Sequence, residues 1–148
     1  MGSRAGRGTE VTPALQAFAL RQVVPNGRAR IRSGTLTWVG QVQPGPECSA
    51  YKLQIEHRPR RLPTVRVLAP ALKPNDQGLL PHVYSDGTLC LHDEGEWHSK
   101  MLLSQTILPW ASEWLFYYEL WLASDTWFGD GPERLDPVSQ SEILHPYG

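Results

Sequence analysis

The chain has 148 residues, 41% of them hydrophobic and 20% charged, with a formal net charge of −1. These values predict one soluble globular domain and exclude a disordered chain. The lack of a basic excess argues against nucleic-acid binding, and no apolar run reaches the roughly eighteen residues that a membrane span needs. Cys48 and Cys90 are too few for a disulfide framework, so we expect a reducing cytoplasm and free thiols.

The N-terminal part of the chain predicts a flexible lead followed by a helix. Residues 1–11 are rich in glycine and arginine and contain no apolar signal core. Thr12 suits an N-cap and Pro13 suits the first helical turn, whereas the Pro-Asn-Gly sequence at residues 25–27 ends the helix. Four apolar residues recur at helical spacing and predict the apolar face of this helix: Leu15, Phe18, Ala19 and Val23.

The next part of the chain predicts an antiparallel meander. Residues 28–34 are basic and are expected to be an exposed segment. Alternating apolar and polar residues then predict three strands, at residues 35–42, 51–56 and 64–68. Because short turns join them, consecutive strands are expected to pair antiparallel.

A long loop and an aromatic helix follow the meander. Periodicity ends near Pro70, and residues 70–87 form a long loop rich in proline and glycine. The strongest helical pattern has Pro109 in its first turn and ends near Ser124, with a predicted core face of Trp110, Trp114, Tyr118, Trp121 and Leu122. We therefore predict a single α+β domain at residues 12–128 and a Pro/Gly-rich tail at 129–148, with at most one helical turn near 139–144.

Residues 81–91, Pro-His-Val-Tyr-Ser-Asp-Gly-Thr-Leu-Cys-Leu, contain the candidate site. The Asp-Gly pair favours a tight turn, because glycine takes a positive φ without a Cβ clash. Cys90 should therefore lie just past a turn, and His82 is near enough in sequence to fold back beside its sulfur. A lone cysteine in an apolar strand is more often a core residue, but this combination indicates acyl transfer through a thiol.

The surroundings of Cys90 favour one kind of thiol chemistry. Four nearby carboxylates are expected to raise the pKa of the thiol: Asp86, Asp93, Glu94 and Glu96. A cysteine protease instead needs a thiolate paired with an imidazolium. The pattern suits a thiol that takes an already activated acyl group as a thioester and passes it to an amine.

Other cysteines and histidines have simpler interpretations. Cys48 is expected to be structural, and His92 and His98 to be rim residues of a loop. A metal site made of Cys90, His82 and His92 lacks any paired-ligand spacing. Neither a glycine-rich nucleotide loop nor paired metal-binding cysteines occur in the sequence, so we expect no cofactor and no activating domain in this chain.

Three short motifs resemble the ubiquitin-conjugating enzyme family. Residues 65–70 resemble its strand that ends in proline, residues 85–91 its catalytic cysteine motif, and Trp97 the tryptophan just past its active site. The resemblance covers roughly residues 12–124. The pattern His-x-Tyr-x-Asp-Gly-x-Leu-Cys-Leu with a Trp-rich second helix is more narrowly similar to bacterial ubiquitin-conjugating-like proteins. These belong mainly to the short form of the cyclic-oligonucleotide-based anti-phage signalling system (CBASS, type II).

This resemblance implies a fold and an activity. The fold is ubiquitin-conjugating-like, and Cys90 forms a thioester with the C-terminus of a cognate cGAS-like nucleotidyltransferase before transfer to an amine. His82 stands where the eukaryotic-type family has asparagine, so it is expected either to donate to an oxyanion or to brace the loop. Two alternatives remain open: a non-catalytic docking module for the nucleotidyltransferase, and a cysteine peptidase that removes the conjugate.

Overall fold

The computed structural model describes residues 10–129 as one four-stranded antiparallel sheet and two helices. Helix α1 spans Pro13–Val23 and helix α2 spans Ile107–Ser124, with a short 3-10 turn at Leu103–Gln105 before α2. The strands pair in chain order and are β1 Arg28–Arg32, β2 Thr35–Val42, β3 Tyr51–His57 and β4 Thr64–Ala69. The predicted α+β class is confirmed.

The described part of the chain also bears on the predicted domain and membrane assignments. Most of the predicted lead and tail lies outside the described residues, as does the helical turn expected near residues 139–144. Within residues 10–129, no helix is long and apolar enough to cross a membrane.

Helix α1 begins and ends where the sequence predicts, but its predicted apolar face does not face the core. The Thr12 hydroxyl accepts a hydrogen bond from the Leu15 backbone N–H at 3.2 Å, as an N-cap does. Three residues of the predicted face are exposed by about half: Leu15, Phe18 and Val23. The prediction of that face was therefore wrong.

A buried glutamine explains the orientation of α1. Gln16 and Leu20 are fully buried. The Gln16 Nε2 donates to Met101 O at 2.9 Å, and its Oε1 accepts from Leu103 N at 2.8 Å. With both ends of the amide paired, its burial costs little, and the two bonds hold the segment before α2 against α1. Hydrophobic periodicity misses this face because its central residue is polar.

Strand β1 occupies the segment predicted to be merely exposed and basic, so the meander has four strands rather than three. Ser33 and Gly34 join β1 to β2 with φ values of 51° and 80°, the positive values that a two-residue hairpin loop requires. All five residues of β1 are exposed, and the strand lies at one edge of the sheet. A strand without a buried face has no apolar alternation to detect.

The other three strands agree with the prediction to within one residue. Their inward-facing residues are buried and make up the sheet side of the core: Leu36, Trp38, Tyr51, Leu53, Ile55 and Val65. The Ala69–Pro70 peptide bond is cis, and β4 ends there, where the long loop begins.

Helix α2 buries most of the predicted aromatic face. Trp114, Tyr118 and Trp121 are buried, as expected, whereas Leu122 is 46% exposed. Ala111 and Leu115 of α2 are buried as well. The Tyr118 hydroxyl accepts from Lys73 N at 2.6 Å, which attaches the long loop to α2.

Candidate active site

The candidate site is a small hairpin that brings the backbones of its two predicted residues together. Val83 and Leu89 form an antiparallel bridge. On one side of the bridge Cys90 N donates to His82 O at 2.9 Å, and on the other Tyr84 N donates to Thr88 O at 2.8 Å. The main chains of His82 and Cys90 are therefore paired, and the position of the His82 side chain beside the Cys90 sulfur stays a prediction.

The tip of the hairpin is the turn that the Asp-Gly pair predicts. Gly87 has a φ of 89°, and its N–H donates to Tyr84 O at 2.9 Å. The Asp86 carboxylate accepts from Thr88 N at 2.9 Å and from Thr88 Oγ1 at 2.6 Å. These two bonds hold the pKa of Asp86 below its usual value, so the turn is closed by an ionised side chain at neutral pH.

Two contacts fix the hairpin to strand β4. Leu89 N donates to Val65 O at 2.9 Å, and Arg66 Nη1 donates to Asp86 O at 2.7 Å. A Cβ atom added at Gly87 would lie 2.8 Å from Arg66 Nη1, so the turn and the arginine are in close contact. The Cys90 backbone is consequently held by the sheet as well as by its own turn.

His82 connects the hairpin to helix α2 and the segment after it. Its carbonyl oxygen accepts from Trp114 Nε1 at 3.1 Å in addition to Cys90 N. Its ring lies 4.9 Å from the Trp127 ring, and the residue is only 7% exposed. Its φ is 54°, in the left-handed region that histidine and asparagine tolerate better than most residues.

Cys90 itself is a half-exposed free thiol with a raised pKa. Burial is the main cause, and the Asp93 charge adds to it, so the predicted direction is confirmed although burial outweighs the carboxylates. A hydrogen bond from the Tyr84 side chain acts in the opposite direction and lowers the pKa. Sequence reasoning gave Tyr84 no role, yet its place across the turn from Cys90 was visible in the motif.

The two candidate rim histidines lie in the segment that follows Cys90. The His92 ring is 5.7 Å from the Trp110 ring, and its Nδ1 is 3.0 Å from Asp93 O. His98 is exposed. Among residues 10–129, no group of three or more histidine, cysteine, aspartate or glutamate side chains is arranged to hold a metal ion.

Cys48 lies in the loop between β2 and β3, beside helix α2. Glu119 accepts from Ser49 N at 2.9 Å and from the Tyr51 hydroxyl at 2.7 Å. The pKa of Cys48 is raised by burial first and then by the charge and hydrogen bond of Glu119. Its thiol is thus a further donor to a carboxylate that attaches the loop to α2.

Comparison with known proteins identifies the family of this chain. The family described as Type II CBASS E2 protein matches residues 16–134, which include all four strands, the Cys90 hairpin and α2. No curated protein matches the chain. The family match covers more than half of the chain and confirms the resemblance drawn from the cysteine motif. This chain belongs to the family of type II CBASS E2 proteins.

Proposed function

We propose that this protein is an E2-like conjugating enzyme that carries an acyl group on Cys90 as a thioester. The acyl donor is the C-terminus of a cGAS-like CBASS nucleotidyltransferase, the acceptor is an amine, and the product serves anti-phage signalling. The observation that carries the proposal is the position of Cys90, a half-exposed thiol on a hairpin attached to β4 and α2. Membership of the type II CBASS E2 family supports the partner.

The proposed reaction has two acyl-transfer steps at one sulfur. In the first, the Cys90 sulfur attacks the activated carbonyl carbon of the donor, the activating group leaves with its bonding electrons, and the thiol proton passes to solvent. In the second, the acceptor nitrogen attacks the thioester carbon and loses a proton to solvent, while the carbon–sulfur bond breaks and the sulfur leaves as thiolate. Thiolate is a good leaving group, so the second step needs no strong acid.

The state of the free thiol supports acceptance of an activated acyl group rather than peptidase action. Burial and Asp93 raise the pKa of Cys90, so its neutral form predominates at pH 7. A peptidase needs the opposite, a thiolate made by a close imidazolium. The His82 ring packs on the Trp127 ring, with 4.9 Å between the ring centroids.

His82 is proposed to brace the hairpin. Its carbonyl oxygen holds Cys90 N, its ring packs in an aromatic cluster, and its left-handed φ suits either histidine or the asparagine of the eukaryotic-type family. These contacts support the bracing alternative. His82 then positions Cys90 without touching the acyl group.

The test is isolation of the covalent intermediate. The chain is expressed with its nucleotidyltransferase, and complexes are separated without reductant and analysed by mass spectrometry. We expect a thiol-sensitive adduct between Cys90 and the C-terminus of the nucleotidyltransferase. Cys90→Ala should abolish the adduct, whereas the matched variant Cys48→Ala should retain it.

Three outcomes would count against the proposal. An adduct that persists in Cys90→Ala, or disappears in Cys48→Ala, would move the chemistry to another residue. A stable non-covalent complex with no adduct in the wild-type protein would identify a docking module. Cleavage of a preformed conjugate by the wild-type protein would identify a peptidase.

A further inference from the structure

The Cys90 hairpin places a tyrosine on the same face as the thiol. In an antiparallel pair, residues directly opposite each other project to the same side. The Val83–Leu89 bridge sets Tyr84 opposite Thr88 and His82 opposite Cys90. Tyr84 and Cys90 are therefore diagonal neighbours, a separation that a long aromatic side chain can cover.

In the contact between these two residues, Tyr84 is the hydrogen-bond donor and the Cys90 sulfur is the acceptor. The Tyr84 side chain lies within hydrogen-bonding reach of the Cys90 sulfur. A phenol O–H is a good donor, whereas a thiolate can only accept, so the bond is strongest when sulfur is negatively charged. Both residues are half-exposed, which leaves them accessible to an incoming acyl group.

The backbone keeps the tyrosine in place. Tyr84 N donates to Thr88 O, and Tyr84 O accepts from Gly87 N, so its main chain is bonded on both sides of the turn. Arg66 and Asp86 hold that turn on β4. A donor on a fixed backbone needs little reorganisation when charge develops at the sulfur.

We propose that Tyr84 is a catalytic residue of this site and that its hydroxyl stabilises negative charge on the Cys90 sulfur. This inference rests on the proposed function for its role in turnover and deepens it by naming the group that assists the sulfur. Tyr84 stays protonated throughout. In transfer to an amine, the acceptor nitrogen bonds to the thioester carbon and loses a proton to solvent, the carbon–sulfur electron pair moves to sulfur, and the Tyr84 O–H donates a hydrogen bond to the departing thiolate.

This assignment separates the tasks of the two residues that flank Val83. His82 holds the backbone of Cys90 through its carbonyl oxygen, and Tyr84 contacts the reacting sulfur. Removal of Tyr84 Oη should therefore change the reactivity of the thiol while leaving the hairpin intact.

The experiment uses Tyr84→Phe, with Tyr117→Phe of α2 as the matched control, both in a Cys48→Ala background that leaves one thiol. The free protein is alkylated with iodoacetamide from pH 6 to pH 10, and modification of Cys90 is followed by mass spectrometry. We expect the profile of Tyr84→Phe to move to higher pH, with alkylation at pH 7 slower by about 3- to 10-fold, the loss expected for one typical hydrogen bond. Tyr117→Phe should match its parent, and both variants should melt as the parent does.

A second measurement connects the contact to turnover. Once Cys90 carries the acyl group, single-turnover transfer to a small amine should be slower by about tenfold in Tyr84→Phe at the same amine concentration. An unchanged alkylation profile in a normally folded Tyr84→Phe protein would overturn the inference, whatever the fate of the thioester. A shifted profile in a protein whose wild type never forms a thioester would support the Tyr84–Cys90 contact and overturn the proposed function alone.

Discussion

Cys48 and Cys90 are both half-exposed thiols with a pKa raised mainly by burial, but their hydrogen-bond partners differ in kind. Cys48 lies beside the Glu119 carboxylate, whose charge and hydrogen bond both favour the protonated thiol. Cys90 lies within reach of the Tyr84 side chain, a donor that favours the thiolate. The difference teaches that two cysteines of similar exposure can have hydrogen-bond partners with opposite effects on the pKa of the thiol.

The supports of the two thiols differ as well. The Cys48 loop is attached to α2 through Glu119, which also accepts from Ser49 and Tyr51, so its thiol is one donor among several. The Cys90 hairpin is attached to β4 through Arg66 and to α2 through His82 O, and its thiol lies within hydrogen-bonding reach of the Tyr84 side chain. Glu119 therefore attaches the Cys48 loop to α2, whereas the Cys90 hairpin is attached through groups other than its thiol.

Among variants that test this difference between the two thiols, His82→Ala is expected to have the largest effect on stability. Loss of a buried ring packed on Trp127 should lower the free energy of unfolding by about 2–3 kcal/mol, as other large-to-small changes in a core do. His82→Asn should lose less because asparagine also tolerates the left-handed φ. Chemical denaturation, together with single-turnover loading and transfer, measures both.

If His82 braces the hairpin, loading and transfer should decline together in His82→Ala. A His82→Ala protein of normal stability that loads Cys90 but transfers the acyl group about 10²–10³ times more slowly would show an oxyanion donor instead.

The second prediction compares the glycines beside the two thiols. Gly87→Ala places a side chain at a φ of 89° and 2.8 Å from Arg66 Nη1, so it should cost about 1–3 kcal/mol and reduce loading of Cys90. Gly45→Ala, whose Cβ would lie 3.3 Å from Cys48 Sγ, should be close to neutral. Denaturation curves measure the pair, and equal costs for the two variants would contradict the difference in backbone strain.

The third prediction concerns the carboxylate beside Cys48. Glu119→Gln removes the charge that helps to raise the pKa of that thiol, so alkylation of Cys48 at pH 7 should become about two- to fivefold faster. Alkylation of Cys90 should not change. Peptide mass spectrometry reports the two sites separately, and a rise at Cys90 alone would refute the assigned partner.

The smallest effect is a loss of stability in alkali. Folding raises the pKa values of Cys48 and Cys90 above their ordinary 9.0, so the unfolded chain releases these protons first. The stabilisation is complete below pH 9 and is lost as pH rises through the folded pKa values. Thermal melts from pH 7 to pH 10.5 should show the fall, and the double variant Cys48→Ala/Cys90→Ala should flatten it. An equally steep fall in the double variant would assign the effect to the tyrosines, whose pKa values are also raised.

Local sequence was sufficient for the features that depend on a few neighbouring residues. Thr12 and Pro13 begin α1, the Asp-Gly pair places a turn before Cys90, and alternation gives β2 to β4 to within one residue. The three short motifs at residues 65–70, residues 85–91 and Trp97 indicated the family that the family match confirms. Caps, tight turns and motif spacings depend on only a few neighbouring residues, so they can be predicted without knowledge of the fold.

Only the tertiary structure decided the features that join distant parts of the chain. The buried face of α1 is set by bonds from Gln16 to the segment before α2, and β1 is a strand because it pairs with β2 at the edge of the sheet. Cys48 has Glu119 as a partner because α2 packs beside its loop, and the His82 ring packs on Trp127 for the same kind of reason. Long-range packing determines these partners. A buried polar group forms its hydrogen bond with whichever group the fold brings near, and that group is often distant in the sequence.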